Sequence, residues 1–161
     1  MSATGIASVY ESLLASIGQA GFAEAIRESR WGFAAIEVVH LLAISGLVGG
    51  LVVVALGNRR EQGEASAVRQ PLARVLALWL LVQWLLAVAS GFLLFSTDTV
   101  GYAGNPAFRT KIVLLVAMSA WTWSSLHSRE LPARGWRHRA AWATVAGWCA
   151  VELAGRAIGV L

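Results

Sequence analysis

Four long apolar stretches constrain what this chain can fold into. They run from Trp31 to Leu56, Leu72 to Phe95, Ile112 to Leu126 and Ala140 to Leu161. A helix needs about 20 mostly apolar residues to cross a bilayer. Three of the stretches exceed that length, and the third reaches it once Phe108 and His127 are counted. Spans are therefore expected at about 31–56, 72–96, 108–127 and 140–161. Composition agrees, with 57% hydrophobic and 14% charged residues, against about 45–50% and about 25% in soluble domains. The expected fold class is all-α, a four-helix transmembrane bundle over residues 31–161.

The net charge of +4 would suggest nucleic acid in a soluble chain, but membrane topology accounts for it better. Arg59, Arg60, Arg69 and Arg74 follow the first stretch, and Arg129, Arg134, Arg137 and Arg139 follow the third. These eight are most of the 13 Lys and Arg residues, and the positive-inside rule places both loops in the cytoplasm. The reading is a multi-pass protein of the bacterial inner membrane with both termini periplasmic and no nucleic-acid partner. Its one cysteine, Cys149, excludes a disulfide framework, a CxxC site and CxxCH haem attachment. The N-terminus lacks the basic region and apolar core of a secretory signal.

Within residues 1–30, Ile6, Val9, Tyr10, Leu13, Leu14 and Ile17 draw one apolar helical stripe. This predicts an amphipathic helix broken near Gly18–Gly21, lying on the outer leaflet or packed on a partner subunit. Gly46 with Gly50, and Gly155 with Gly159, stand at the GxxxG spacing that lets membrane helices approach closely. Trp31, Trp136 and Trp142 fall where interfacial belts belong. Trp84, Trp121, Trp123 and Trp148 lie deeper, as packing residues or as the walls of a flat cofactor.

Polar residues inside the spans carry the functional signal. Counting from Trp31 at the rise of an α-helix, Glu37 lies roughly 9 Å deep and His40 roughly 13 Å. Counting back from Leu161, Glu152 lies about 13 Å deep and Arg156 about 7 Å. Lys111 enters the third span beside Arg109, after an Asn105–Pro106 turn that starts the helix. Each ionisable group in a span costs about 2.5–3.5 kcal/mol on insertion scales, so it should face the interior and a partner.

Three readings fit this cluster. Ion pairs, Glu152 with Arg156 and Glu37 with Lys111, would staple the helices. Alternatively His40 ligates a b-type haem, with Lys111, Arg109 and Arg156 pairing the propionates and Glu37 orienting the imidazole. Met118, at the height of His40, is then a candidate sixth ligand. His127, roughly 15 Å away in depth, is a poorer one that belongs at the interface. In the third reading Glu37, His40 and Glu152 hold a transition metal. His138 reads as solvated.

The pattern W-x-F-x-x-I-E-x-x-H, then GFLLF, then Y-x-x-N-P-A-F-R-x-K and a final A-G-R-x-I resembles an uncharacterised family of small four-span bacterial integral membrane proteins. In layout the chain is also similar to the copper-resistance D proteins and the four-helix haem-binding protoporphyrinogen oxidases. That resemblance implies His40 as haem ligand with Lys111 and Arg156 in support. The expected function is electron transfer by a membrane b-type haem protein, as a subunit or partner of a larger redox complex. Its partners would be other membrane subunits or a periplasmic redox protein. The alternatives are an oxidase of a porphyrinogen-like or quinol substrate, a haem-free accessory subunit, and metal handling.

Overall fold

The computed structural model describes residues 3–57, 66–127 and 134–157, all within seven helices and their short joints. These are α1 (Ala3–Gly18), α2 (Gly21–Glu28), α3 (Gly32–Gly57), α4 (Ser66–Thr97), α5 (Thr99–Gly104), α6 (Pro106–His127) and α7 (Arg134–Ala157). The protein is all-helical, with no strand among the described residues. Two helical segments, Gly32–Gly57 and Ala73–Thr97, are long and apolar enough to cross a membrane. The composition of α6 and α7 is more mixed. Arg109, Lys111 and a run of hydroxyl residues interrupt α6, and arginines open α7 ahead of Glu152 and Arg156. Helix length and apolarity alone therefore support two crossings, not the expected four.

Packing follows small residues. α3 lies against both α4 and α7, and α6 lies against α7. On α3, a Cβ at Gly46 would meet Gln83 at 2.8 Å, and one at Gly50 would meet Leu80 at 2.8 Å. The GxxxG pair of α3 is thus the seat of α4. On α7, Gly147 receives Met118 and Gly155 receives the Lys111 side chain. Seven residues separate the two visitors on α6 and eight separate their sockets on α7, the register of an antiparallel pair. A core of Leu47, Leu51, Leu80, Val145, Trp148 and Val151 fills the centre.

Indole N–H groups tie the helices together. Trp121 donates to Thr144 Oγ1 at 2.9 Å and Trp148 to Thr122 Oγ1 at 3.0 Å, two reciprocal bonds between α6 and α7. Trp84 donates to Ser119 Oγ at 3.0 Å, and Trp79 to the Gly46 carbonyl at 3.1 Å. Trp84, Trp121 and Trp148 are therefore cross-helix donors, and the buried Trp148 has the partner that a buried indole usually requires.

Two long helices that face each other across the site stay apart. Among the described residues α4 and α6 make no close backbone approach, and they meet through side chains such as Phe95 on Phe108, stacked at 5.1 Å. At the end of the bundle where α4 passes into α6, the N-terminal helices pack on the chain's own α5 and α4. Thr99 Oγ1 donates to the Leu14 carbonyl at 2.9 Å, and Arg27 to the Gly18 carbonyl at 2.8 Å. Phe22 meets Phe92 at 6.2 Å. The apolar side chains Val9, Tyr10 and Leu13 remain exposed.

Candidate functional site

The cluster expected from the sequence assembles at the α5 end of the bundle. Glu37 and His40 of α3, Lys111 of α6, and Glu152 and Arg156 of α7 all line one cavity of about 390 Å³. Phe95 of α4, Tyr102 of α5 and Phe108 of α6 complete it. The three rings touch one another, with centroids 5.1 to 6.5 Å apart. The Asn105–Pro106 turn makes this possible. Asn105 Oδ1 accepts from Ala107 N at 2.8 Å, capping α6 so that Phe108 and Lys111 enter the cavity from its first turns.

His40 is held by a residue the sequence reading did not single out. Its Nδ1 lies 2.9 Å from Ser90 Oγ on α4, and Ser90 is buried. The Ser90 hydroxyl has one proton and donates it to the Leu86 carbonyl. A hydroxyl that donates to a backbone carbonyl can accept from His40, which pairs this contact with the tautomer that carries its proton on Nδ1 and its lone pair on Nε2. The ring lies against Gly91, where a Cβ would come within 3.0 Å of Cε1. Ser90–Gly91, a small pair inside an apolar span, was the available signal for this contact.

Glu152 presents the opposite situation. Its Oε2 is buried and has no hydrogen-bond partner. Lys111 lies within electrostatic range of both Glu152 and Arg156, with its Nζ seated over Gly155. Tyr102, outside the long helices, feels the charges of Asp98 and Glu37, and burial with these charges raises its phenol above the ordinary value of 10.0.

The remaining candidates lie elsewhere. Arg109 is exposed and its Nε donates to the Ala103 carbonyl at 2.8 Å, fixing α5 on α6 and not lining the cavity. Met118 packs on Gly147 beside the central core and lines neither cavity described here. The His127 side chain lies outside the described residues. Glu37, His40 and Glu152 share a wall, yet among the described residues no three His, Cys, Asp or Glu side chains gather closely enough to hold a metal ion. The three-ligand metal reading therefore finds no support among the described residues. The two carboxyl groups come from different helices and line the same cavity.

A second cavity, of about 350 Å³, adjoins the first and shares His40, Gly91, Phe95, Phe108 and Lys111 with it. Its other walls are apolar: Val88 and Phe92 of α4, Ile112 and Leu115 of α6, Trp148 and Val151 of α7. It fills the gap left where α4 and α6 do not approach. No protein-family model, curated protein or solved structure matches the chain.

Proposed function

We propose that this is an integral membrane subunit, or partner, of a redox complex, and that its outer cavity binds a lipid-soluble hydroquinone. Membrane residence is supported by the two long apolar helices and by the exposed apolar side chains carried by all four long helices. Leu42, Leu78, Leu85, Val113, Val116 and Leu153 are all exposed, a continuous apolar exterior that a water-soluble monomer avoids. Five ionisable residues of the long helices, Glu37, His40, Lys111, Glu152 and Arg156, line the interior cavity instead, as lipid requires. The arginine-rich loops then set the four helices as spans, with the cavity toward the periplasm.

One observation carries the ligand class: two residues of the cavity wall, Glu152 and His40, each hold a hydrogen-bond acceptor for which the fold supplies no donor. The acceptors are Glu152 Oε2, buried without a partner, and His40 Nε2, which has its lone pair in the tautomer that donates from Nδ1 to Ser90. A hydroquinone offers two hydroxyl donors on a flat ring, and the stacked Phe95 and Phe108 offer it a flat wall. Two cations, Lys111 and Arg156, and two carboxylates, Glu37 and Glu152, line the same cavity. Their charges balance, which suits a neutral ligand.

A b-type haem on His40 is the second reading, favoured by the same tautomer, since a ligating histidine commonly donates its other N–H to a neighbour. Bound haem would supply a one-electron couple. Its iron and macrocycle suit His40 and the apolar cavity. Its propionates suit the site less well, because Glu37 and Glu152 line the same cavity as Lys111 and Arg156 and already balance their charge.

Two measurements test these readings. Trimethylhydroquinone titrated into the detergent-purified protein should bind saturably, and its dimethyl ether, of the same ring but with no hydroxyl donor, should bind at least about tenfold more weakly. Equal affinities would refute the hydroquinone reading. Air-oxidised and dithionite-reduced spectra of protein expressed with ample haem, beside His40→Ala, decide the haem reading. A Soret band lost in the variant establishes haem on His40. A featureless spectrum removes it.

A further inference from the structure

The apolar cavity has no role in holding a hydroquinone ring, and its position shows what it can take. It sits between α4 and α6, which make no close backbone approach among the described residues. Three of its wall residues, Val88, Phe92 and Ile112, are 37%, 47% and 40% exposed, so the cavity opens sideways between these two helices. In a bilayer that opening faces lipid. Its inner wall is the set of residues it shares with the polar cavity, with Phe95 and Phe108 on both sides of the junction. An occupant of the outer cavity therefore has a continuous apolar path to the membrane core.

We propose that the apolar cavity holds the hydrocarbon tail of the ligand whose head lies in the outer cavity, and that the gap between α4 and α6 is the ligand's lateral entrance. The proposal rests on the hydroquinone reading for the head group and names the tail-binding subsite and route of entry. Apolar walls alone would accept any acyl chain. Continuity with a wall that holds two acceptors without donors, on Glu152 and His40, selects instead a molecule with an apolar tail and a hydroxylated ring. Helix separation is what makes the path. Gly46 and Gly50 draw α4 onto α3, and Gly147 and Gly155 draw α6 onto α7. Each outer helix is thus pulled toward a different partner, and the seam between them stays open.

The test compares three probes on the full chain in one detergent: trimethylhydroquinone, a decyl-substituted hydroquinone and decylbenzene. The decyl hydroquinone is expected to bind at least tenfold more tightly than the tail-less ring. Val88→Phe, which narrows the apolar cavity without touching the outer one, should abolish that advantage and leave trimethylhydroquinone binding unchanged. Ile112→Phe narrows the cavity from α6 and serves if Val88→Phe misfolds. An advantage that survives both substitutions overturns the proposal, because the tail then lies in the micelle. Decylbenzene separates this failure from failure of the head-group reading. If no hydroquinone binds but decylbenzene binds saturably and is lost in Val88→Phe, the cavity takes an acyl chain alone and the head-group reading has failed. If trimethylhydroquinone binds and the tail adds nothing in the wild type, only the tail proposal falls.

Discussion

Ser90→Ala removes one oxygen atom and should change which nitrogen of His40 carries its proton. In the wild type the Ser90 hydroxyl donates to the Leu86 carbonyl and accepts from Nδ1 at 2.9 Å. Without Oγ that constraint is gone, and the Nε2–H tautomer becomes accessible. Two magnitudes follow. The bond joins α3 to α4, and hydrogen bonds between membrane helices contribute about 0.6 kcal/mol on average and at most about 1.7 kcal/mol. Because glycine-mediated packing joins α3 and α4 along their length, the variant should fold. Losing Nε2 as an acceptor removes one neutral hydrogen bond to the ligand, about 0.5–1.5 kcal/mol, or roughly two- to tenfold in affinity. Imidazole ¹⁵N shifts of protein labelled at histidine report the tautomer directly, and titration with trimethylhydroquinone reports the affinity. A wild-type His40 protonated on Nε2 would refute the hydrogen-bond assignment outright. An Ala variant that keeps the Nδ1–H form and full affinity would reduce Ser90 to a packing residue. Ser90→Thr, which keeps the hydroxyl, should keep the tautomer.

Other outcomes follow from the same geometry. Glu152→Leu should weaken trimethylhydroquinone binding about 10- to 100-fold, since bonds to charged acceptors are worth about 1.5–3 kcal/mol, and should leave the affinity for the dimethyl ether unchanged. If a Soret band is found, Met118→Leu should leave it unshifted, because Met118 lies on Gly147 and not in the cavities; a shifted spectrum would place its sulfur on the iron. Gly50→Ile should disrupt the seat of α4, since even a Cβ there lies 2.8 Å from Leu80, and a well-folded variant of wild-type stability would contradict that packing. Tyr102 has a folded pKa raised above 10.0. Its contribution to stability is full below the unfolded value and is lost as pH rises through the folded one. Absorbance titration near 295 nm should show the later of the two tyrosine transitions disappearing in Tyr102→Phe, and loss of the earlier one would show that the burial argument is wrong.

The polar cluster was legible in one dimension. Depth along each helix placed Glu37, His40, Lys111, Glu152 and Arg156 at one end, and they line one cavity. What depth does not give is rotation about the helix axis, and the partner assignments failed there. Met118 stands at a suitable height yet turns to α7. Arg109, two residues before Lys111, points at the Ala103 carbonyl. Residues two apart on a helix do not share a face, so the arginine could not accompany the lysine into the cavity. The N-terminal segment shows a different gap. Its apolar stripe was read as meeting lipid or a foreign subunit, whereas part of it packs on this chain's own α4 and α5.

The sequence by itself determined that the chain is helical, that its helices carry an apolar exterior, and that five ionisable side chains must be satisfied away from lipid. Those properties are one-dimensional, because hydropathy, helical rise and charge placement need no partner helix. Only the tertiary structure decided that Ser90 holds His40, that Glu152 Oε2 is left without a donor, and that α4 and α6 part to open a second cavity. Each of these depends on which faces meet. That in turn depends on close approaches at Gly46, Gly50, Gly147 and Gly155, where the absence of a side chain on one helix gives its neighbour a seat. A glycine in a sequence marks that an approach is possible, but packing chooses which helix makes it.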